Sequence, residues 1–274
     1  MILITGATGN VGRNVVEQLL VAGQRVRAMT RDPASARLPA GVEVVRGDLT
    51  DPETLPAALE GIDRAYLFPV SGHLQPFLGL GRAQGLKRVV LLSSSSASDP
   101  SGALGQVHAA NESVVRASGL PWTFVRPTAF MANDLRWAGQ IKTTSIVRAP
   151  YGHSTTAPID ERDIAAVVAA ALTQDGHEGR AYSLTGPQSL SVVERVRILA
   201  QVLGRDITFE ELPPERARQF MPAAPPAIAD NLLAMMAKNA GRPAQLTEDV
   251  ERATGRPPFA YRQWATRHAP DLTG

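Results

Sequence analysis

The chain has 274 residues, enough for one doubly wound α/β domain with an addition and short for two large independent domains. Its 28 lysines and arginines are scattered among 26 acidic residues, with no basic stripe typical of nucleic-acid binding. Cysteine is absent, which excludes disulfides, thiolate metal ligands and a cysteine nucleophile. No charged leader or apolar run of transmembrane length stands out, so we expect a cytoplasmic protein without membrane contact or a metal site.

The first thirteen residues predict a strand, a glycine-rich turn and a helix. An apolar run at 2–4 leads into Gly6, Gly9 and Gly12, and apolar residues beyond them recur with helical period. Glycines permit a close backbone approach to a pyrophosphate, and a helix N-terminus favours an anion. The spacing is G-x-x-G-x-x-G, where the most familiar fingerprint has G-x-G-x-x-G. We interpret the stretch as a dinucleotide-binding turn in which Gly9 tolerates no side chain; the alternative is a turn that binds nothing.

The end of the second predicted strand, near Met29, indicates which dinucleotide is bound. An acidic residue there would bind the ribose hydroxyls of NAD, whereas a nearby arginine accommodates the 2′-phosphate of NADP. The chain has Arg31 at this place, and Arg13 follows the third glycine, so both are expected to approach that phosphate. We therefore predict NADP as the cofactor, with NADPH preferred over NADH. The alternative is that Arg31 is a solvated residue paired with Asp32.

Three further strands carry candidate residues at their carboxyl ends, where an open parallel sheet places its ligands. The third strand runs into Asp48, which either contacts adenine or is a turn or cap carboxylate at the start of the next helix, and the second role does not exclude the first. The fourth strand ends at residues 68–70, which we expect to lie over the inner ribose of the cofactor. The fifth strand, 87–92, is almost continuously apolar, as a strand buried on both faces should be, and ends in the serines 93–96.

Strand and helix alternate through the sixth strand without a long break, and right-handed crossovers then dictate a parallel sheet between helices. We predict an α/β fold, a Rossmann-type doubly wound parallel sheet with a smaller, partly helical C-terminal lobe. The dinucleotide-binding core is placed at 1–133, and a mixed segment at 134–274 completes the sheet and forms the substrate lobe. Within that segment, short strands at 144–147 and 180–184 are separated by a helix at 163–173.

The last third of the sequence has weaker signals. Ser191 opens a helix to Leu203, with Glu194 as its capping-box partner. Proline is frequent between 213 and 226, and Pro222, Pro225 and Pro226 indicate a mobile segment. A Leu- and Met-rich helix at 228–236 either lines a pocket or packs in the core or a dimer.

The chain resembles the atypical short-chain dehydrogenase/reductase group in several motifs. These are T-G-A-T-G-N-V-G-R at the start, M-T-R-D-P after the second strand, G-D-L-T-D after the third, S-G-L-P-W-T-F-V-R-P-T-A-F-M-A-N in the middle and I-D-E-R-D-I-A later. More narrowly they resemble the NmrA-like and NAD(P)H:quinone oxidoreductase branch, from the first residue to about Ala265. The resemblance implies a Rossmann domain, a smaller C-terminal lobe and a substrate cleft between them, and nothing in it specifies a substrate.

The helix after the fifth strand departs from ordinary short-chain dehydrogenases, which carry a tyrosine and a lysine four residues apart there and a serine at the strand's end. In this chain His108 and Glu112 keep the four-residue spacing. We predict that Glu112 raises the pKa of His108 and holds it as a proton donor, while Ser94 polarises the acceptor oxygen. The alternatives are that Glu112 accepts hydrogen bonds from ribose hydroxyls, or that the pair is a surface contact.

Two functions follow from these features. The first is a reductase that transfers hydride from NADPH to a quinone or another small conjugated acceptor, with Phe130, Met131 and Trp137 forming an apolar pocket. The second is a non-catalytic NADP-sensing regulator or scaffold, which the missing tyrosine and lysine favour. We expect a small-molecule partner, no nucleic-acid or membrane partner, and a monomer or homodimer.

The candidate site residues fall into two groups. The catalytic candidates are Ser94, His108 and Glu112. The cofactor-binding candidates are Thr5, Gly6, Thr8, Gly9, Asn10, Val11, Gly12, Arg13, Arg31, Asp48, Leu49, Phe68, Pro69, Val70 and Ser93.

Overall fold

The structure is a computed structural model that describes residues 1–218 and 225–274. Its strands are β1 (Ile2–Thr5), β2 (Val26–Thr30), β3 (Glu43–Arg46), β4 (Arg64–Leu67), β5 (Arg88–Leu92), β6 (Trp122–Pro127), β7 (Ile146–Ala149), β8 (Thr155–Thr156), β9 (Arg180–Leu184), β10 (Leu190–Ser191) and β11 (Thr208–Glu211). Its α-helices are α1 (Asn10–Val21), α2 (Leu55–Leu59), α3 (Leu74–Ala83), α4 (Ala103–Ala117), α5 (Ala138–Thr144), α6 (Glu161–Thr173), α7 (Val192–Leu203), α8 (Pro214–Ala217), α9 (Pro226–Lys238), α10 (Asp249–Thr254), α11 (Tyr261–Arg267) and α12 (Ala269–Thr273).

Seven strands form one parallel sheet in the order β3-β2-β1-β4-β5-β6-β9. The strand order reverses between β1 and β4, and an open parallel sheet binds its ligand in the crevice at such a switch point. The predicted Rossmann-type fold is confirmed. The last strand of the sheet, β9, comes from the second half of the chain and pairs with β6.

Helices cover both faces of the sheet because the strand side chains alternate between two apolar cores. Ile2 and Ile4 of β1 pack in one core with residues of α1 and α6. Leu3, between them, packs in the other core with residues of α2 and α3. Both faces of β1 are therefore buried, which explains its continuous apolar sequence.

A third apolar core lies in the C-terminal lobe and contains Met131, Trp137 and Trp264. Met131 and Trp137 are almost completely buried in it, so the prediction that they line a substrate pocket is wrong. Large aromatic surfaces stabilise this lobe when they pack against one another. Two short pairs of strands complete the lobe, β7 with β11 and β8 with β10.

Most predicted helices are present, with shifted ends. The helix predicted at 163–173 begins at Glu161, because the Asp160 carboxylate accepts the amide of Arg162 and caps it. The predicted capping box is confirmed, since Ser191 and Glu194 bond to each other's backbone N–H groups.

The proline-rich stretch and the helix after it are only partly described. Of the segment 213–226, residues 219–224, Pro222 among them, lie outside the described residues. In α9, Met236 packs against the core of the C-terminal lobe, whereas Met235 is exposed. No helix in the described ranges is both long and apolar enough to cross a bilayer.

Candidate functional site

The glycine turn lies at the end of β1, beside the switch point of the sheet. Gly6 has a positive φ of 60°, which favours glycine, and its carbonyl accepts the amide of Gly9 at 3.0 Å. A Cβ atom added to Gly12 would lie 2.2 Å from the Gly6 oxygen, so α1 packs on the turn too closely for any side chain. A Cβ at Gly9 would lie 3.3 Å from the same oxygen. Among these two, Gly12 is therefore the position that the turn itself requires to be glycine.

Thr5 joins the ends of β1 and β4. Its hydroxyl donates to the carbonyl of Tyr66 at 3.1 Å and accepts the amide of Phe68 at 2.7 Å. The Thr5 side chain is buried, so these bonds, and not a cofactor contact, occupy its hydroxyl. Phe68 is 47% exposed, and its Cβ lies 3.1 Å from the Cβ that Gly6 would carry. An exposed aromatic ring therefore borders the glycine turn, with the half-buried Pro69 and Val70 after it.

The N-terminus of α1 is open to an anion. Gly9 is its N-cap and has no side chain to occupy the first amides, and the first turn contains no acidic residue. Thr8, Asn10 and Arg13 are exposed around it, whereas Val11 is buried and has only its backbone to offer. This end of the helix suits the diphosphate of a dinucleotide.

A cavity of about 400 Å³ opens beside this helix N-terminus. One wall comes from the glycine turn and α1, with Thr8, Gly9, Asn10 and Arg13. The opposite walls come from residues 132 and 135 after β6, residues 160–162 at the start of α6, and residues 267, 268 and 271 of the C-terminal helices. The C-terminal lobe therefore faces the glycine turn across this cavity.

Arg31 stands exposed just after β2 and is free of Asp32. Within residues 1–218 and 225–274 the two side chains form no ion pair, because the Asp32 carboxylate accepts the amides of Ala34 and Ser35 instead. The alternative interpretation, in which Arg31 pairs with Asp32, is therefore wrong on the pairing. Arg31 remains a proposed ligand of the 2′-phosphate.

Asp48 and Leu49 follow β3. The Asp48 carboxylate accepts the amide and the hydroxyl of Thr50 at 2.9 and 2.8 Å, and these bonds, with the nearby charge of Arg31, lower the pKa of Asp48. Asp48 is thus a turn carboxylate, as one of the two interpretations expected. Leu49 is buried in the core under α2 and α3, so its side chain is unavailable to a cofactor.

Glu112 is buried at the centre of a charged network below the carboxyl end of the sheet. Arg126 grips it with two hydrogen bonds of 2.8 and 2.6 Å, and the Ser93 hydroxyl donates to it at 2.6 Å. Arg116 adds a third cationic contact at 3.1 Å. Burial by itself raises the pKa of Glu112, but Arg126, Ser93 and Arg116 hold it below its ordinary value. Neither Glu112 nor Ser93 is free to bind ribose hydroxyls in this arrangement.

His108 lies one turn before Glu112 on α4 and is only partly buried. Burial lowers the pKa of His108 and outweighs the opposing charge of Glu112. The prediction that Glu112 raises this pKa and keeps a charged proton donor is therefore wrong. Among the described residues, Nδ1 of His108 is buried without a hydrogen-bond partner, so Glu112 does not orient the ring through a hydrogen bond.

Ser94 has a local structural role. Its hydroxyl oxygen accepts a hydrogen bond from the amide of Ser96 at 3.2 Å and another from the Ser96 hydroxyl at 2.9 Å. Ser94 therefore caps a short 3₁₀ turn at 95–98. Ser94 is half-buried, and its proposed contact with an acceptor oxygen would compete with this cap.

Sequence reasoning missed two arginines that the structure places at the site. Arg126 is the last residue but one of β6 and forms the forked ion pair with Glu112. Arg267 lies on α11 and lines the cavity beside the glycine turn. Arg126 lies within the motif S-G-L-P-W-T-F-V-R-P-T-A-F-M-A-N, which carried the family resemblance, whereas no local pattern indicated a role for Arg267.

Comparison with known proteins identifies the family. The sequence profile of the NAD(P)H-binding family matches residues 6–175, which include the glycine turn, Arg31 and Glu112. The chain belongs to the NAD(P)H-binding family. Its glycine turn, open helix N-terminus and switch point suit the cofactor for which the family is named.

Several known proteins resemble this chain over nearly their whole length. The (4-alkanoyl-5-oxo-2,5-dihydrofuran-3-yl)methyl phosphate reductase of Streptomyces griseus is 40% identical, covering 98% of this chain and 98% of the relative. The NAD(P)H azoreductase of Xenophilus azovorans is 37% identical with the same coverage. The crystal structure of an NADPH-dependent quinone oxidoreductase from Escherichia coli matches 97% of this chain and 99% of its own, with a TM-score of 0.82 and 25% identity. The resemblance to atypical short-chain reductases is therefore confirmed.

Proposed function

We propose that this protein is a reductase that transfers hydride from NADPH to a small conjugated acceptor such as a quinone. The observation that carries the proposal is the network around Glu112, which stands where a proton-donating pair would otherwise be found. With Glu112 bound to Arg126 and the pKa of His108 lowered by burial, these positions hold no charged proton donor at neutral pH. Such a site suits an acceptor whose reduced form is a stabilised anion that water can protonate.

The named substrates of the relatives agree with this chemistry. A quinone, an azo compound and an alkanoyl-substituted oxo-dihydrofuran each contain an electron-poor double bond conjugated with a further unsaturated group. The relatives named above are reductases, which supports an enzyme over the alternative of a regulator without turnover.

The chain's own residues position and surround the reaction. A reduced nicotinamide dinucleotide supplies the hydride when it is bound. The turn from Gly6 to Gly12 and the open end of α1 would hold the diphosphate of the dinucleotide. The ring of Phe68 would pack against the dinucleotide next to the switch point of the sheet. The buried Glu112–Arg126 pair joins α4 to β6 and so fixes the helix that carries His108.

Turnover with a panel of acceptors tests this function. We expect NADPH oxidation with a quinone, an azo dye and a 2-alkanoyl butenolide, and at least about a hundredfold lower kcat/KM with an unconjugated ketone, which needs a proton in the transition state. Equal turnover of the ketone would contradict the proposed substrate class. The absence of turnover with every acceptor would favour the regulator.

We further propose that Arg31 selects NADPH over NADH. Replacing it in an Arg31→Ala variant removes a charge-assisted contact with the 2′-phosphate and should weaken NADPH binding about tenfold or more while leaving NADH binding unchanged. Calorimetric titration measures both. Arg25→Ala is the matched control, because Arg25 is exposed before the opposite end of β2. Equal NADH and NADPH affinity in the parent protein would reject the role of Arg31.

A further inference from the structure

Arg267 is held in place at the edge of the cavity beside the glycine turn. Its guanidinium pairs with Asp160, a buried carboxylate that also caps α6. The ring of Phe259 lies 5.5 Å from the same guanidinium. A side chain fixed by an ion pair and an aromatic ring loses little freedom when it binds a further group. Arg267 lies well beyond residue 175, where the match to the family profile ends.

The guanidinium of Arg267 retains free donors. An arginine has five N–H donors, and within the described part of the chain Arg267 uses Nη2 for Asp160 and Nη1 for the carbonyl of Gln263 at 3.4 Å. Its side chain is 25% exposed. Arg267 can therefore keep Asp160 as a partner and still donate into the cavity.

The charges around the cavity favour an anion between two arginines. On the near wall Arg13 is exposed and forms no ion pair with any described residue. On the far wall the Asp160 carboxylate is occupied by Arg267 and by the amide of Arg162. Glu161 accepts the amide of Ala132 at 2.7 Å, and burial raises the pKa of Glu161. Asp271, the third acidic residue that lines the cavity, is exposed, and its carboxylate lies 2.7 Å from Nδ1 of His268. Each of these carboxylates thus has a partner within the protein, whereas the arginines have donors to spare.

We propose that Arg267 is a cofactor-binding residue that, together with Arg13, holds the diphosphate of NADPH against the glycine turn. The proposal rests on the placement of the cofactor under the proposed function. It makes the C-terminal helix α11 a wall of the cofactor site, although the dinucleotide fold and its motifs lie in the first half of the chain.

Binding of two probes to matched variants tests this role. NADPH carries both the diphosphate and the 2′-phosphate, whereas adenosine 2′-monophosphate carries only the latter. We expect Arg267→Gln to weaken NADPH binding about tenfold and to leave adenosine 2′-monophosphate unchanged. Arg256→Gln is the control. Arg256 pairs with the equally buried Asp163 and lies 4.6 Å from the ring of Phe259, but it does not line the cavity. We expect it to bind both probes as the parent does.

A second pair of variants covers the case in which Arg267→Gln fails to fold because Asp160 is left unpaired. Asp160→Asn removes that charge and keeps a good helix cap. NADPH binding is therefore compared between the single variant Asp160→Asn and the double variant Asp160→Asn/Arg267→Gln. The double variant should again bind NADPH about tenfold more weakly than the single one. Unchanged NADPH binding, or an equal loss for both probes, would overturn the proposal. Because no acceptor is present, the result does not depend on whether the protein catalyses a reduction.

Discussion

Glu112 occupies the helix position at which ordinary short-chain dehydrogenases carry a lysine, and its surroundings give it a structural role. Its buried carboxylate forms a forked ion pair with Arg126 and accepts a hydrogen bond from the Ser93 hydroxyl, so it holds α4 against β6. Removing one partner of such a pair typically costs about 3–5 kcal/mol, because the other charge is left buried. The position that would carry a lysine in ordinary short-chain dehydrogenases here stabilises the fold.

His108 should contribute little as an acid. Since burial lowers its pKa below the ordinary value of 6.5, His108 is neutral above that pH, and kcat should show no inflection between about pH 6.5 and 8. We expect His108→Gln to reduce kcat by less than about threefold, whereas loss of a general acid costs roughly a hundredfold or more. His153→Gln, at an exposed histidine, is the control. A hundredfold loss, or an inflection that disappears in His108→Gln, would restore the acid role.

At this scale the sequence predicted where the residues lie better than what they do. The four-residue spacing placed His108 and Glu112 on one helix, but their pKa values depend on burial and on Arg126, which comes from another element. Thr5 was predicted only as a cofactor-binding residue, and the structure places it at the end of β1. Its hydroxyl is nevertheless taken by β4, a partner that is distant in sequence.

Among the elements, the glycine turn and α1 depend on Gly12. A Gly12→Ala methyl group would overlap the Gly6 carbonyl and push α1 off the turn, so we expect a loss of stability of about 3 kcal/mol. Urea unfolding measures it. In Gly79→Ala the added Cβ meets no atom within 4 Å in α3, so this control should be neutral or more stable by up to about 1 kcal/mol. A Gly12→Ala protein with the parent's unfolding midpoint would show that the turn adapts.

Elements with a strong local signal were predicted well. The sheet strands are apolar runs bounded by turns, and the helix from Ser191 carries its own capping box. The start of α6 was missed by two residues because Asp160 was not recognised as its cap. The resemblance implied a cleft between the two lobes, but the residues of the far wall were not predicted, since they come from segments far apart in the sequence.

For the whole molecule, the C-terminal segment from residue 256 onward supplies partners to three buried carboxylates. Arg256 pairs with Asp163, Arg267 pairs with Asp160, and Tyr261 donates to Asp134 at 2.7 Å. The same segment contributes Tyr261 and Trp264 to the core of the C-terminal lobe. The predicted boundary at residue 133 between a dinucleotide-binding core and a C-terminal lobe remains a prediction. Two elements after that boundary, α6 and β9, pack with the sheet of the first segment.

Deleting residues 256–274 should therefore abolish cooperative folding. Asp160 and Asp163 would lose their arginines, which is costly for buried charges, whereas Asp134 would keep Arg195 and lose only the Tyr261 hydroxyl. Tyr261 and Trp264 would also be missing from the core of the C-terminal lobe. We expect near-UV circular dichroism and a sharp thermal transition to be lost, whereas deleting only the exposed residues 273–274 should leave the midpoint unchanged. If residues 1–255 unfold at the parent's temperature, the segment is an accessory.

The hydrogen bond from Tyr261 to Asp134 also has a consequence for synthesis on the ribosome. These residues are 127 positions apart. At a translation rate of roughly 5–20 residues per second, Tyr261 is added to the chain about 6–25 seconds after Asp134. During that interval Arg195 can already pair with the carboxylate, but Tyr261 and Trp264 are still missing from the core of the C-terminal lobe. The wall opposite the glycine turn is therefore complete only after α11 and α12 have been added to the nascent chain.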